Sequence, residues 1–169
     1  MMKITSILCS LFSGNVVADH LQVGSLAPHF SAKTHEGGTF NLFERKGKWT
    51  VLYFYPKDDT PGCTKQACAF RDSIELIRKQ DAEVYGISRD DTKSHQKFVE
   101  KYHLNFPLLA DPQGTITKAF GAEGLMGFPK RWTFIIDPEL TIRWIQKNVD
   151  PAQNASEVAR EVERLKKSK

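Results

Sequence analysis

The spacing of apolar residues changes period several times along the chain, and each change marks an element. Residues 49–55 (Trp-Thr-Val-Leu-Tyr-Phe-Tyr) form a nearly unbroken apolar and β-branched run closed by Pro56, the pattern of a strand buried on both faces. The period then becomes helical. Cys63, Ala67, Phe70, Ile74 and Ile77 recur at steps of four and three, which makes one core-facing stripe. Thr60-Pro61 supplies an N-cap and a first helical residue for that helix. Residues 82–88 read as a second strand, 92–103 as a helix with Phe98, Val99 and Tyr102 on one face, and 106–110 as a third strand. Strand and helix alternate here at the spacing of βαβ units. Beyond Asp111-Pro112 a short helix ends near Gly121, residues 124–129 form a loop, and 131–136 with 141–147 form a hairpin about residues 137–140. The last helix begins at Asp150-Pro151 and turns Ala155, Val158, Val162 and Leu165 toward the sheet. Upstream, Gly37-Gly38 marks a hairpin turn leading into residues 39–43. The expectation is one α/β domain, a central mixed β-sheet flanked by helices, with an N-terminal β-hairpin extension.

The first eighteen residues have a different character. Lys3 precedes an apolar stretch over residues 4–12, and Val16-Val17-Ala18 places small residues where a signal peptidase inspects them. Residues 1–18 therefore read as a secretory signal peptide, with 19–169 as the domain and a periplasmic or secreted location. The alternative is an N-terminal extension on a cytoplasmic protein. The apolar run is too short to span a bilayer, and Leu8 before Cys9 argues against a lipoprotein anchor. With 169 residues, one core of useful size is affordable. The 24 basic and 20 acidic side chains are spread along the chain, a net +4 that forms no basic patch, so neither nucleic acid nor a membrane surface is an expected partner.

Candidate chemistry concentrates at Cys63. It falls in the first turn of its helix, where unpaired N–H groups and the positive end of the helix dipole favour thiolate over thiol. The alternative is a small buried hydrophobe on the apolar stripe. Cys68 lies off that stripe. Five residues along an ideal helix it is rotated by about 140° and its Cα stands about 8.7 Å from that of Cys63. A disulfide needs about 7 Å or less. Any pairing of the two thiols requires these turns to unwind, which Gly62 makes less costly.

The segment Phe54-Tyr55-Pro56-Lys57-Asp58-Asp59-Thr60-Pro61-Gly62-Cys63-Thr64-Lys65-Gln66-Ala67-Cys68 resembles the active-site segment of the peroxiredoxins, and most of all the bacterioferritin comigratory protein, or peroxiredoxin Q, subfamily. That family carries Pro-x-x-x-Thr-x-x-Cys, often with a second cysteine five residues on. Arg131-Trp132-Thr133-Phe134-Ile135-Ile136-Asp137 is similar to the strand that supplies the family's active-site arginine. The resemblance runs from about Leu26 to the C-terminus and implies a thioredoxin-like fold, which the βαβ-then-ββα order supports independently.

The resemblance implies a thiol peroxidase in antioxidant defence, reducing hydrogen peroxide and organic hydroperoxides. Cys63 would be the peroxidatic nucleophile and Cys68 the resolving cysteine that forms an intramolecular disulfide with it, re-reduced by thioredoxin or a similar dithiol donor. Thr60 would offer its hydroxyl to the peroxide, Arg131 would hold both peroxide and thiolate, and Pro56 would wall the pocket against water. Each has a plainer alternative: Thr60 as a helix cap, Arg131 as a surface residue at a strand edge, Pro56 as a strand terminator and Cys68 as an idle thiol. No cofactor and no metal are expected, since no cysteine and histidine share zinc-ligand spacing and His20, His29, His35, His95 and His103 are scattered as surface or packing residues. A monomer is expected. Two other functions share these residues: a thioredoxin-type thiol-disulfide oxidoreductase, which normally uses Cys-x-x-Cys, and a redox-switched chaperone exposed by helix unwinding.

Overall fold

Strand β3 (Trp49–Phe54) is buried along its whole length, as its continuous apolar run requires. In the computed structural model, which describes residues 21–168, it lies in a seven-stranded mixed sheet. The other strands are β1 (Ser31–Thr34), β2 (Thr39–Asn41), β4 (Ala82–Ser88), β5 (Leu108–Ala110), β6 (Thr133–Ile136) and β7 (Ile142–Gln146), in the spatial order β2-β1-β5-β4-β3-β6-β7. β3 pairs in parallel with β4 and antiparallel with β6, and β4 pairs in parallel with β5. The N-terminal hairpin extends the same sheet, because β1 pairs antiparallel with β5.

Side-chain alternation along β3 divides the interior into two layers. Val51 and Tyr53 face helix α1 (Pro61–Arg78), with Phe70, Ile74 and Ile77, and helix α4 (Asn154–Lys167), with Ala155, Val158 and Val162. Leu52 and Phe54 face the opposite layer, where Phe30, Phe120, Phe134 and Ile136 close against helix α3 (Thr115–Ala119). Helix α2 (Thr92–Tyr102) is capped by the Asp91 carboxylate on the Ser94 amide and ends where His103 turns left-handed at φ 52°. Tyr53 is fixed in its layer by stacking on Phe70 at 4.7 Å and Tyr55 at 5.4 Å. A Cβ at Gly86 would lie 2.7 Å from both the Tyr53 hydroxyl and Leu108 Cδ2. Gly86→Ala is therefore expected to lower stability by about 1–3 kcal/mol; the midpoint of urea unfolding measures it, and an unchanged midpoint would show that the stack can move.

Several boundaries differ from those the sequence suggests. The strand expected from Arg131 starts at Thr133, because the Lys130 amide bonds Ala122 and the Trp132 amide bonds the Lys130 carbonyl, making a turn there. The last helix starts at Asn154 instead of Asp150: the Asp150 carboxylate takes the Ala152 amide and its carbonyl takes those of Gln153 and Asn154, so residues 151–153 turn first. The third strand is cut to Leu108–Ala110, and the 124–129 loop holds a short 3-10 turn, Leu125–Gly127. The expected signal peptide, residues 1–18 including Cys9, lies outside the described residues.

Candidate active site

At the end of β3 the chain passes Pro56, turns through residues 57–60 and enters α1 with Thr60 as N-cap and Pro61 as the first helical residue. The side-chain cap that the sequence suggests for Thr60 is not made. Its hydroxyl donates instead to the Lys57 carbonyl at 2.9 Å, which leaves its lone pairs as acceptors. Three residues on, Cys63 is 2% exposed on the inner face of the first turn. Pro56 and Thr60 are half-buried beside it in the chain.

Arg131, in the turn before β6, is brought to this sulfur. Its Nη2 donates to Cys63 Sγ at 3.5 Å and its Nη1 to Gln66 Oε1 at 2.7 Å. The second bond orients the guanidinium fork. Gln66 is held in turn: its Nε2 donates to Asn154 Oδ1 at 2.8 Å, Thr133 Oγ1 donates to the same oxygen at 3.1 Å, and Asn154 Nδ2 donates to Gln146 Oε1 at 2.7 Å. Gln66, Thr133 and Asn154 have no exposed surface, so this chain is tied on both sides away from water. Gly62 makes room, since a Cβ there would stand 3.2 Å from Arg131 Nη2. The surface alternative for Arg131 does not describe it.

Cys68 is half-buried further along α1, and both thiols are free. The helix runs unbroken through both cysteines, so they stand on different faces as the spacing implies. Just beyond, α1 is anchored: Arg71 Nη1 donates to the Tyr102 carbonyl at 2.6 Å, and Asn105 Nδ2 donates to the Arg71 carbonyl at 3.2 Å.

A second polar cluster, which the sequence reading missed, holds residues 57–60. The buried Asp58 accepts from the Tyr55 hydroxyl at 2.7 Å and from Ser94 Oγ at 2.7 Å, and faces His95 Nδ1 at 2.9 Å. Burial, with the Asp58 charge next, pushes the Tyr55 hydroxyl well above the usual phenol value, so it stays a donor. Asp59 is left-handed at φ 55° and its carboxylate takes Lys101 Nζ at 2.7 Å and the Tyr102 hydroxyl at 2.5 Å. The Lys101 ammonium, then Tyr102, hold that carboxyl below its ordinary value. His95 was read only as surface or packing, yet it precedes Phe98 by three positions on the inward face of α2 and is fully buried.

Beside Arg131 an open hollow of about 670 Å³ is bordered by Lys130, Trp132, Lys147 and Asp150, with Lys130 Nζ 4.9 Å and Lys147 Nζ 4.5 Å from the Trp132 ring centre. Another hollow lies at the far end, where β3 and β4 begin, and its Arg78 and Lys166 are already paired with Glu83 and Asp81. Among the described residues no group of three or more His, Cys, Asp or Glu side chains could hold a metal ion.

Residues 23–145 match the AhpC/TSA family. A chloroplastic peroxiredoxin Q of Triticum aestivum is 43% identical over 156 residues, covering 90% of this chain and 72% of its own length. The plant relatives are longer proteins, of which the chain spans between 58% and 78%. Among solved structures, peroxidoxin BcpB of Mycobacterium tuberculosis aligns with a TM-score of 0.80 at 32% identity, over 86% of this chain and 98% of that one. The bacterioferritin comigratory protein of Xanthomonas campestris, solved in work on its alkyl peroxide reduction activity, aligns with a TM-score of 0.76 at 30% identity, over 80% and 90% of the two chains.

Proposed function

Because this chain belongs to the AhpC/TSA family and is a peroxiredoxin of the Q and bcp kind, we propose that it is a thiol peroxidase whose attacking group is Cys63 and whose resolving group is Cys68. The observation that carries the assignment is the Arg131 guanidinium, oriented by Gln66, at 3.5 Å from a sulfur in the first turn of α1. The Cys63 thiolate attacks one oxygen of hydrogen peroxide or an organic hydroperoxide. The O–O bond breaks, the leaving oxygen takes a proton and departs as water or an alcohol, and Cys63 is left as a sulfenic acid. Negative charge spreads over sulfur and both oxygens as this happens, and the guanidinium is a fixed cation beside that line. The free lone pairs of Thr60 suit the O–H of the bound peroxide, and Pro56, without an amide donor, lines the pocket. Cys68 then attacks the sulfenic sulfur, forming the disulfide and releasing water. Thiol-disulfide exchange with thioredoxin or a similar dithiol restores both thiols. With residues 1–18 read as a signal peptide, the protein would act in the periplasm or outside the cell, as a monomer; an N-terminal extension on a cytoplasmic protein is the alternative.

The test is stoichiometric. Reduced protein given one equivalent of hydrogen peroxide should consume it and lose both titratable thiols; if both persist, the reading is wrong. The intact helix between the cysteines adds an expectation for dynamics. Amide hydrogen exchange of the oxidised protein should show lost protection across residues 62–70 and retained protection beyond the Arg71 anchor. Equal protection in the two redox forms would exclude unwinding.

A further inference from the structure

The His95 ring has no exposed surface and lies between two groups that accept protons: Asp58 Oδ2 at 2.9 Å from Nδ1 and the Leu109 carbonyl at 3.2 Å from Nε2. A carbonyl brings no proton, so Nε2 must carry one. A second proton must lie between Nδ1 and Oδ2, because two bare lone pairs at that distance repel. Asp58 and His95 thus form a couple complete only with this shared proton, whichever partner formally owns it. The groups around it are the Tyr55 hydroxyl, which is 3.4 Å from Nδ1, Ser94 Oγ, which donates to the same Oδ2 at 2.7 Å, the Leu109 carbonyl of β5, His35 beyond β1, and Asp90, whose carboxylate accepts from the Asp58 amide. Burial, more than any other cause, holds His35 below the ordinary histidine value, and the charge of His95 adds to that against the pull of Glu36.

The couple sits under the loop that presents Thr60. The Asp58 amide donates to Asp90 Oδ2 at 2.9 Å, and the neighbouring left-handed Asp59 is held by Lys101 and Tyr102, so the loop has little slack. The same loop carries the Lys57 carbonyl that fixes the Thr60 hydroxyl. We propose that Asp58 and His95 are positioning residues of the peroxidase, setting the Thr60 hydroxyl over Cys63 through residues 57–60 and doing so only while their shared proton is in place. The inference rests on the reading of Cys63 as the attacking thiol.

In the full chain, Cys63 oxidation by hydrogen peroxide is followed across pH in single turnovers for wild type, Asp58→Asn and His95→Gln. For wild type the rate should rise as the thiolate forms and fall in alkali when the couple loses its proton. In Asp58→Asn the amide N–H can donate to Nδ1 of a neutral ring whose Nε2 still serves Leu109, so the alkaline fall should vanish while the acid limb remains. His95→Gln should slow oxidation by about 10- to 100-fold while the alkylation rate of Cys63 by iodoacetamide stays unchanged, because Arg131 is untouched. Nitrogen-15 spectra of wild type at neutral pH should show His95 with Nε2 protonated and a shared or second proton at Nδ1. Should His95→Gln fail to fold, the pH profile of Asp58→Asn decides alone. A wild type that oxidises at Cys63 with a profile matching Asp58→Asn, or a His95 ring whose Nε2 carries no proton, overturns the couple. A wild type inert to peroxide overturns the thiol-peroxidase reading, and the couple's role with it.

Discussion

Cys63→Ser is expected to bring peroxide turnover down to the uncatalysed rate, whereas Cys68→Ser should consume one equivalent and stop. Serine places a hydroxyl where the thiol stood, with similar packing against Ala67 and Phe70, but an alcohol neither ionises near neutral pH nor attacks an O–O bond as sulfur does. The loss is therefore one of chemistry and not of fold, and unchanged thermal unfolding checks that. In Cys68→Ser the first step is intact, since Cys68 belongs neither to the buried stripe nor to the Arg131 contacts. The sulfenic acid then has no partner, and turnover should resume only with an added small thiol. Rapid mixing with limiting peroxide and thiol titration measure both variants, and equal full activity in the two would reverse the assignment.

Arg131→Ala should slow Cys63 oxidation by about 10²–10³-fold, the effect of deleting one preorganised donor from a site of developing charge. Its guanidinium is the group seen to reach Sγ, and its loss also strips Gln66 Oε1 of its partner within a buried chain, so some loss of stability should accompany the loss of rate. Arg131→Lys should recover only part of the rate, because an ammonium cannot serve Gln66 and the sulfur with one rigid fork. The second-order rate constant with hydrogen peroxide measures this; an unchanged constant in Arg131→Ala would remove the arginine from the mechanism.

The residues that were legible in the sequence are those whose role follows from local periodicity. The both-faced run of β3 and the Cys63-Ala67-Phe70-Ile74-Ile77 stripe declare their burial by spacing, and Thr60-Pro61 declares the start of α1. Arg131 was visible only through the resemblance, since its contact spans 68 positions and nothing in its neighbourhood points to a sulfur. Gln66 and Asn154 were invisible for a related reason. A polar residue in an amphipathic helix reads as solvent-facing, and only tertiary partners show that these are buried and bonded. His95 left a trace in its spacing from Phe98, but its meaning depends on Asp58, which lies 37 positions earlier. For Thr60, position was predicted and bonding was not, because the Lys57 carbonyl takes the hydroxyl.

The anchor at Arg71 bears on how quickly the molecule resets. Starting a helix from coil is slow to pay back, since several dihedral angles are fixed for one bond, whereas lengthening an existing helix adds a bond per residue within about nanoseconds. With residues 71–78 still wound and tied to Tyr102 and Asn105, the reduced segment has a template to zip onto, from its C-terminal side toward Cys63. Rewinding is then expected to be far faster than an encounter with a protein reductant, so the pace of recovery should be set by the donor.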